Sequence, residues 1–296
     1  MPSEYPELTA VADSIRLHGA NAGRDLAEQA LEFYTLRYSD FPPRALAGEV
    51  SRCRSLLMDH TSTDTRRVLG WLSALLGNLA HHTDDPTGAL IHLGTAARVG
   101  EQVGDSTLTG WALGAQSMVT MSQHRPIEAL ELANNAACFA ATPLRSAQFT
   151  AWCRLRPLAA LGETDSLTDY IVQARRDMDR AEEAAGRFGF DRAEFELHLA
   201  EALLEHNPAR AAEHAQASAS LKSSGSPGWA AAVTVHARAQ AQREAQDAVA
   251  LGESVLDTVP AGALRATTQI RLRSLVADLG AYTGARSFAE RVSLLN

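Results

Sequence analysis

Lysine is nearly missing from this chain: Lys222 stands alone, and the remaining cationic side chains are arginines. Acidic residues outnumber basic ones by 35 to 27, and no basic block occurs anywhere. Binding to phosphate needs clustered bases, so direct DNA binding and an anionic membrane surface are not expected. The arginine bias is that of a GC-rich coding source. Cysteine is scarce too. Cys53, Cys138 and Cys153 form no Cys-x-x-Cys and sit in apolar helical patterns, which predicts buried free thiols in a reducing compartment. Aromatics make up 6%, and β-branched runs are few, which leaves little to build sheets from. No stretch approaches the ~18 apolar residues of a bilayer span. The opening MPSEYPELTA has neither the basic nor the apolar region of a signal peptide, so a cytoplasmic protein is expected. There is no His-Glu-x-x-His, phosphate-binding glycine loop, Gly-x-Ser-x-Gly or dinucleotide fingerprint, so no catalytic residue, metal or cofactor is nominated.

What the chain does have is alanine and a period. Each of the four tryptophans, Trp71, Trp111, Trp152 and Trp229, stands 14–16 residues before a helix-opening position, at Pro86, Pro126, Ser166 and Ala245. Pro208 is a fifth opener, and the five fall at intervals of 40, 40, 42 and 37 residues. A period of that size means stacked helical hairpins. The expected fold is all-α: a solenoid of about five tetratricopeptide-like hairpins between capping helices. The expected limits are 1–62 for N-terminal helices, 63–259 for the repeats and 260–296 for the closing helices, in one continuous domain. Ala89, Ala129, Ala211 and Ala248 recur just after the openers, marking where paired helices approach most closely. The third repeat departs, with Asp169 and Tyr170 there, which predicts a register slip or a local opening of the stack. Pro157, inside a predicted helix, predicts a kink.

Ten histidines include two compact sets of possible metal ligands, His81 and His82 with Asp84 and Asp85, and His198, His206 and His214. Adjacent helical positions point about 100° apart, so the first set does not converge on one ion. His198 and His206 are too far apart without Glu201 between them. The mixed run Arg175–Glu183 spaces opposite charges three and four apart, the pattern of a solvated helix face with internal ion pairs. The candidate ligand-binding residues are those of a concave groove: Trp71, Trp111 and Trp152 as an aromatic wall, with Asn78, Gln116, Arg154, Arg156, His198 and His236 further along the same helices. Such a lining suits an amphipathic anion or a peptide.

Five segments resemble a known family: 66–80 (RRVLGWLSALLGNLA), 96–117, 126–137 (PIEALELANNAA), 197–215 and 286–295. Together they are similar to the tetratricopeptide-like C-terminal region of actinobacterial Xre-type helix-turn-helix regulators. That resemblance implies a region that senses a small molecule or peptide, or mediates self-association. A DNA-binding domain needs about 55–60 residues ahead of the repeats, and about 25 stand there with no recognition-helix pattern. The expectation is a stand-alone binding or regulatory protein acting through a protein partner. The alternative is a cofactor-independent cyclase or isomerase of specialised metabolism, with a histidine or Glu201 transferring the proton.

Overall fold

Prolines and side-chain caps set where the helices begin. In the computed structural model, which describes residues 5–18, 24–184, 186 and 188–295, three helices lead in: α1 (Pro6–His18), α2 (Arg24–Leu36) and α3 (Pro43–Leu57). Hairpins follow: α4 (Thr63–His82) with α5 (Pro86–Val103), then α6 (Ser106–Ser122) with α7 (Pro126–Ala137). The third has a composite first arm, α8 (Pro143–Gln148), a π-helical turn (Phe149–Arg154) and α9 (Leu155–Ala160), paired with α10 (Thr164–Asp179). The fourth and fifth are α11 (Arg192–Leu203) with α12 (Pro208–Ser220), and α13 (Pro227–Gln240) with α14 (Ala245–Thr258). A closing pair, α15 (Ala266–Leu279) and α16 (Arg286–Ser293), completes the chain. Among the described residues the only β pairing is an isolated bridge between Ala184 and Phe190.

The fold is an all-α solenoid of helical hairpins, as the period predicts. Pro86, Pro126 and Pro208 each take the first position of a helix, where a missing N–H leaves nothing unsatisfied. Asp85 and Asn207 cap two of these helices by accepting the N–H of Gly88 and Arg210 at 2.8 and 3.2 Å. The repeated alanines, Ala89, Ala129, Ala211 and Ala248, are all fully buried. At Gly77 the reason for small residues is direct: a β-carbon there would lie 2.6 Å from Leu93 and 3.0 Å from the Ala89 carbonyl.

Two local expectations change. Pro157 cannot donate to the Cys153 carbonyl four residues back, and the chain answers with the π turn just ahead of it. The Ser117 hydroxyl sits between the Cys153 carbonyl at 3.2 Å and the Ala129 carbonyl at 2.7 Å, with one proton to donate to either. Secondly, α10 ends at Asp179, and among the described residues no ion pair forms within the charged run. Asp177 accepts from Ser146 at 2.6 Å, Asp179 pairs with Arg192 at 2.8 Å, and Arg175 reaches His214 at 2.9 Å. Of the cysteines, Cys53 and Cys153 are buried, and burial pushes both thiols up to about 12. Cys138, at the frayed end of α7, is exposed, which corrects the expectation of three buried thiols.

The solenoid curves until its ends meet. α15 touches α4, although the two lie far apart in sequence. His82 Nδ1 is 3.1 Å from the Thr267 hydroxyl, and the Arg265 guanidinium lies 4.4 Å from the centre of the Tyr38 ring. Tyr38 is the hub of this seam, because its hydroxyl also accepts from Asn78 and its ring packs beside His82. The segment between α10 and α11 folds back against the inner side of the early repeats. Phe188 there packs on Trp71 and Trp111 at centroid distances of 4.4 and 4.9 Å, and the Phe188 carbonyl accepts from Arg145 at 2.8 Å.

Candidate functional site

Closing the solenoid turns its concave face into a central cavity of about 1150 Å³, walled mainly by the first helix of each hairpin. Small side chains make the room: Ala115, Ala159, Ala202 and Ala231 face it from α6, α9, α11 and α13. Met118, Trp152, Leu197 and Val235 supply apolar wall.

The charged part of the wall is organised around Glu201, whose side chain is 7% exposed. Arg271, from α15, donates to Oε1 through Nη2 at 2.5 Å and Nε at 2.9 Å. His198 lies one helical turn back on α11, with Nδ1 3.2 Å from Oε2 and its ring stacked on Phe190. Arg156, from α9, holds its Nη1 at 3.7 Å from Oε2. Burial alone would raise the pKa of this carboxyl. Arg156, Arg271 and His198 outweigh that and hold it well below the ordinary carboxylate range. Glu201 is therefore a fixed negative charge joining three turns of the solenoid. Further round, Arg238 of α13 pairs with Asp278 of α15 at 2.7 Å.

The sequence candidates divide. Asn78, Trp152, Arg156 and His198 line the cavity; Trp71, Trp111, Gln116, Arg154 and His236 do not. Trp111 is fully buried in a ladder with Trp71 and Trp152, at centroid distances of 6.3 and 5.3 Å. Trp71 turns its indole N–H to Asp105 at 3.0 Å. Two of the three indoles are thus packing between helices, and Phe188 covers them. Arg154 points the other way, bonding Asn134 at 3.0 Å and lying 4.5 Å over the Tyr170 ring. Gln116 is turned back to the Ala112 carbonyl at 3.3 Å, and burial lowers the His236 pKa.

No protein-family model matches the chain, and no curated protein matches it. Among solved structures it is similar to the crystal structure of yeast Tom70, with 12% identity and a TM-score of 0.47. That alignment covers 99% of this chain and 64% of the other, so the chain spans less than two thirds of the length of that protein. A likeness so distant leaves function to be argued from this chain's own geometry.

Arg271, Arg265, Arg238 and Tyr38 are the site residues that sequence reasoning missed. Arg271, Arg265 and Tyr38 enter because the closing pair folds against the first hairpin, which no local pattern encodes, whereas Arg238 lies on the first helix of its own hairpin, two positions beyond His236. One signal was available for Arg154 and Arg156: positions two apart on a helix face nearly opposite ways, so only one could enter the groove. Among the described residues no helix is long and apolar enough to cross a membrane.

Proposed function

We propose that the chain is a helical-repeat binding protein that holds a small molecule or peptide inside the ring and acts through a protein partner. That is the role implied by its resemblance to the sensor region of Xre-type regulators. The observation that carries the reading is the Glu201 set. One carboxylate is shared by two guanidiniums, and the nearer one takes its hydrogen bonds. Arg156, at 3.7 Å and with 26% of its side chain exposed, stays beyond hydrogen-bonding reach of Glu201. Its donors are left for an incoming anion, while Met118, Trp152 and Val235 offer surface to an apolar body. The favoured ligand is an amphipathic anion, free or part of a peptide. For the partner, Ile91 on α5 and Ile127 on α7 stand 62% and 65% exposed on the outer helices. The enzymatic alternative would ask Glu201 to move a proton, and the partners that keep it ionised oppose that.

A thermal-shift panel of short peptides and acyl anions tests this. A ligand at a hundred times its Kd stabilises its host by about 2.7 kcal/mol, which reads as a clear rise in Tm. Interior binders are expected to lose their effect in Arg156→Ala and in Ala231→Trp, which places a large ring in the cavity. Hits that stabilise Ala231→Trp as much as the parent chain would place the site elsewhere.

A further inference from the structure

The stack is not evenly closed. In two other places the second helix of one hairpin packs along the first helix of the next, as α5 does on α6 and α12 on α13, while α14 meets α15 only slightly. α10 instead packs back on α8 and α9 and barely meets α11. The departure at Asp169 and Tyr170 is thus an opening of the stack. It leaves a cleft of about 350 Å³ between α10 and the start of α12, which shares His206 with the wall of the interior.

Its chemistry is distinctive for a chain of net charge −8, because no carboxylate lines it. The base is apolar: Leu167, Ile171 and Leu203 are 4%, 7% and 7% exposed, and Val172 beside them is 43% exposed. Two arginines stand over that base. Arg175 donates through Nη2 to His214 Nε2 at 2.9 Å. Since a guanidinium only donates, His214 carries its proton on Nδ1 and gives it to Glu196 at 2.6 Å. The imidazole therefore orients Arg175, and Glu196 is reached only through it. The Arg175 Nε is buried with no hydrogen-bond partner among the described residues. Arg210, across the cleft, makes no ion pair among the described residues. Of the other polar residues on the lining (Thr164, Thr168, His206 and Asn207), His206 is already committed to the Ala159 carbonyl at 2.9 Å.

We propose that this cleft is a second binding site, for a carboxylate carried on a short apolar body. The apolar base takes the body, and Arg175 and Arg210 take the carboxylate from either side. The volume lies near the lower end of the ~300–1000 Å³ of ligand pockets, so the body is a short acyl chain or one or two apolar residues at a peptide C-terminus.

Octanoate is the probe, titrated calorimetrically into the full chain, with octylamine as the opposite-charge control. A saturable octanoate site that persists in Arg156→Ala, and so is not the interior one, is expected, with slowed amide exchange in α10 and the first turns of α12. The affinity is expected to fall at least tenfold in Arg175→Gln/Arg210→Gln, and severalfold in Arg210→Gln alone, an exposed change that leaves folding intact. Octylamine is expected not to bind. Acetyl-Gly-Leu-Leu with a free C-terminus, compared with its amide, separates the sources. Tighter binding than octanoate, lost on amidation, assigns the site to peptide ends; weaker binding assigns it to free acids. No saturable octanoate binding, equal binding of octylamine, or binding indifferent to both arginine variants would overturn the proposal.

Discussion

Trp111→Ala is expected to lower the unfolding free energy by about 3–5 kcal/mol, the cost of deleting a buried large aromatic. The side chain is fully buried and is held between Trp71, Trp152 and Phe188, so no single neighbour can collapse into the space. Its removal also takes the middle rung from a ladder that links three successive hairpins, whose stability depends on nearest-neighbour interfaces. Urea unfolding followed by far-ultraviolet circular dichroism measures the loss, and hydrogen exchange should place the earliest opening in α4 to α9. Trp229→Ala, at a partly exposed site in the C-terminal cluster, should cost less than half as much. A Trp111→Ala chain within 1 kcal/mol of the parent would mean that the ladder does not hold the hairpins together.

Glu201→Ala is the second large effect, about 1.5–3 kcal/mol, because it removes charge-assisted hydrogen bonds and leaves Arg271 and Arg156, 17% and 26% exposed, beside each other on the cavity wall. Glu201→Gln keeps the shape and removes only the charge, so it isolates the electrostatic part and carries a pH signature. The folded carboxyl has its pKa depressed below the ordinary range, chiefly against the opposing effect of burial, by Arg156, Arg271 and His198. Its stabilisation is therefore complete above the unfolded pKa and is lost as pH falls through the folded one. From about pH 5 downward the gap between the parent chain and Glu201→Gln should narrow steadily. A gap that stays constant with pH would mean that the carboxylate is not held ionised by those partners.

The helical part of this structure is legible in the sequence, and the reason is local. A proline at the first turn and an alanine just inside act within a few residues, with an Asp or Asn cap ahead of Pro86 and Pro208, so Pro86, Pro126 and Pro208 announce their helices directly. The site is only half legible. Asn78, Trp152, Arg156 and His198 follow from being on the first helix of a hairpin. Arg154 stands two positions from Arg156 and so faces nearly the opposite way, to Asn134 and Tyr170. Trp71 and Trp111 were drawn to the groove as aromatics, whereas Phe188, from a loop more than 70 residues later, buries them. The seam at Tyr38 and Arg265 depends on small rotations accumulated over every hairpin between them, and no window of sequence carries that sum. Arg175 illustrates the converse. Its charge pattern suggested a plain solvated face, but the opening beside α10 changes what surrounds it.

Native mass spectrometry of the full chain, freshly purified with no ligand added, puts the interior of the ring to the test most directly. The parent protein should carry a discrete small mass above its 31.7 kDa chain, released on denaturation and missing from Ala231→Trp prepared in parallel. A bare chain in the parent preparation, or the same added mass on both proteins, would contradict a ligand held within the ring.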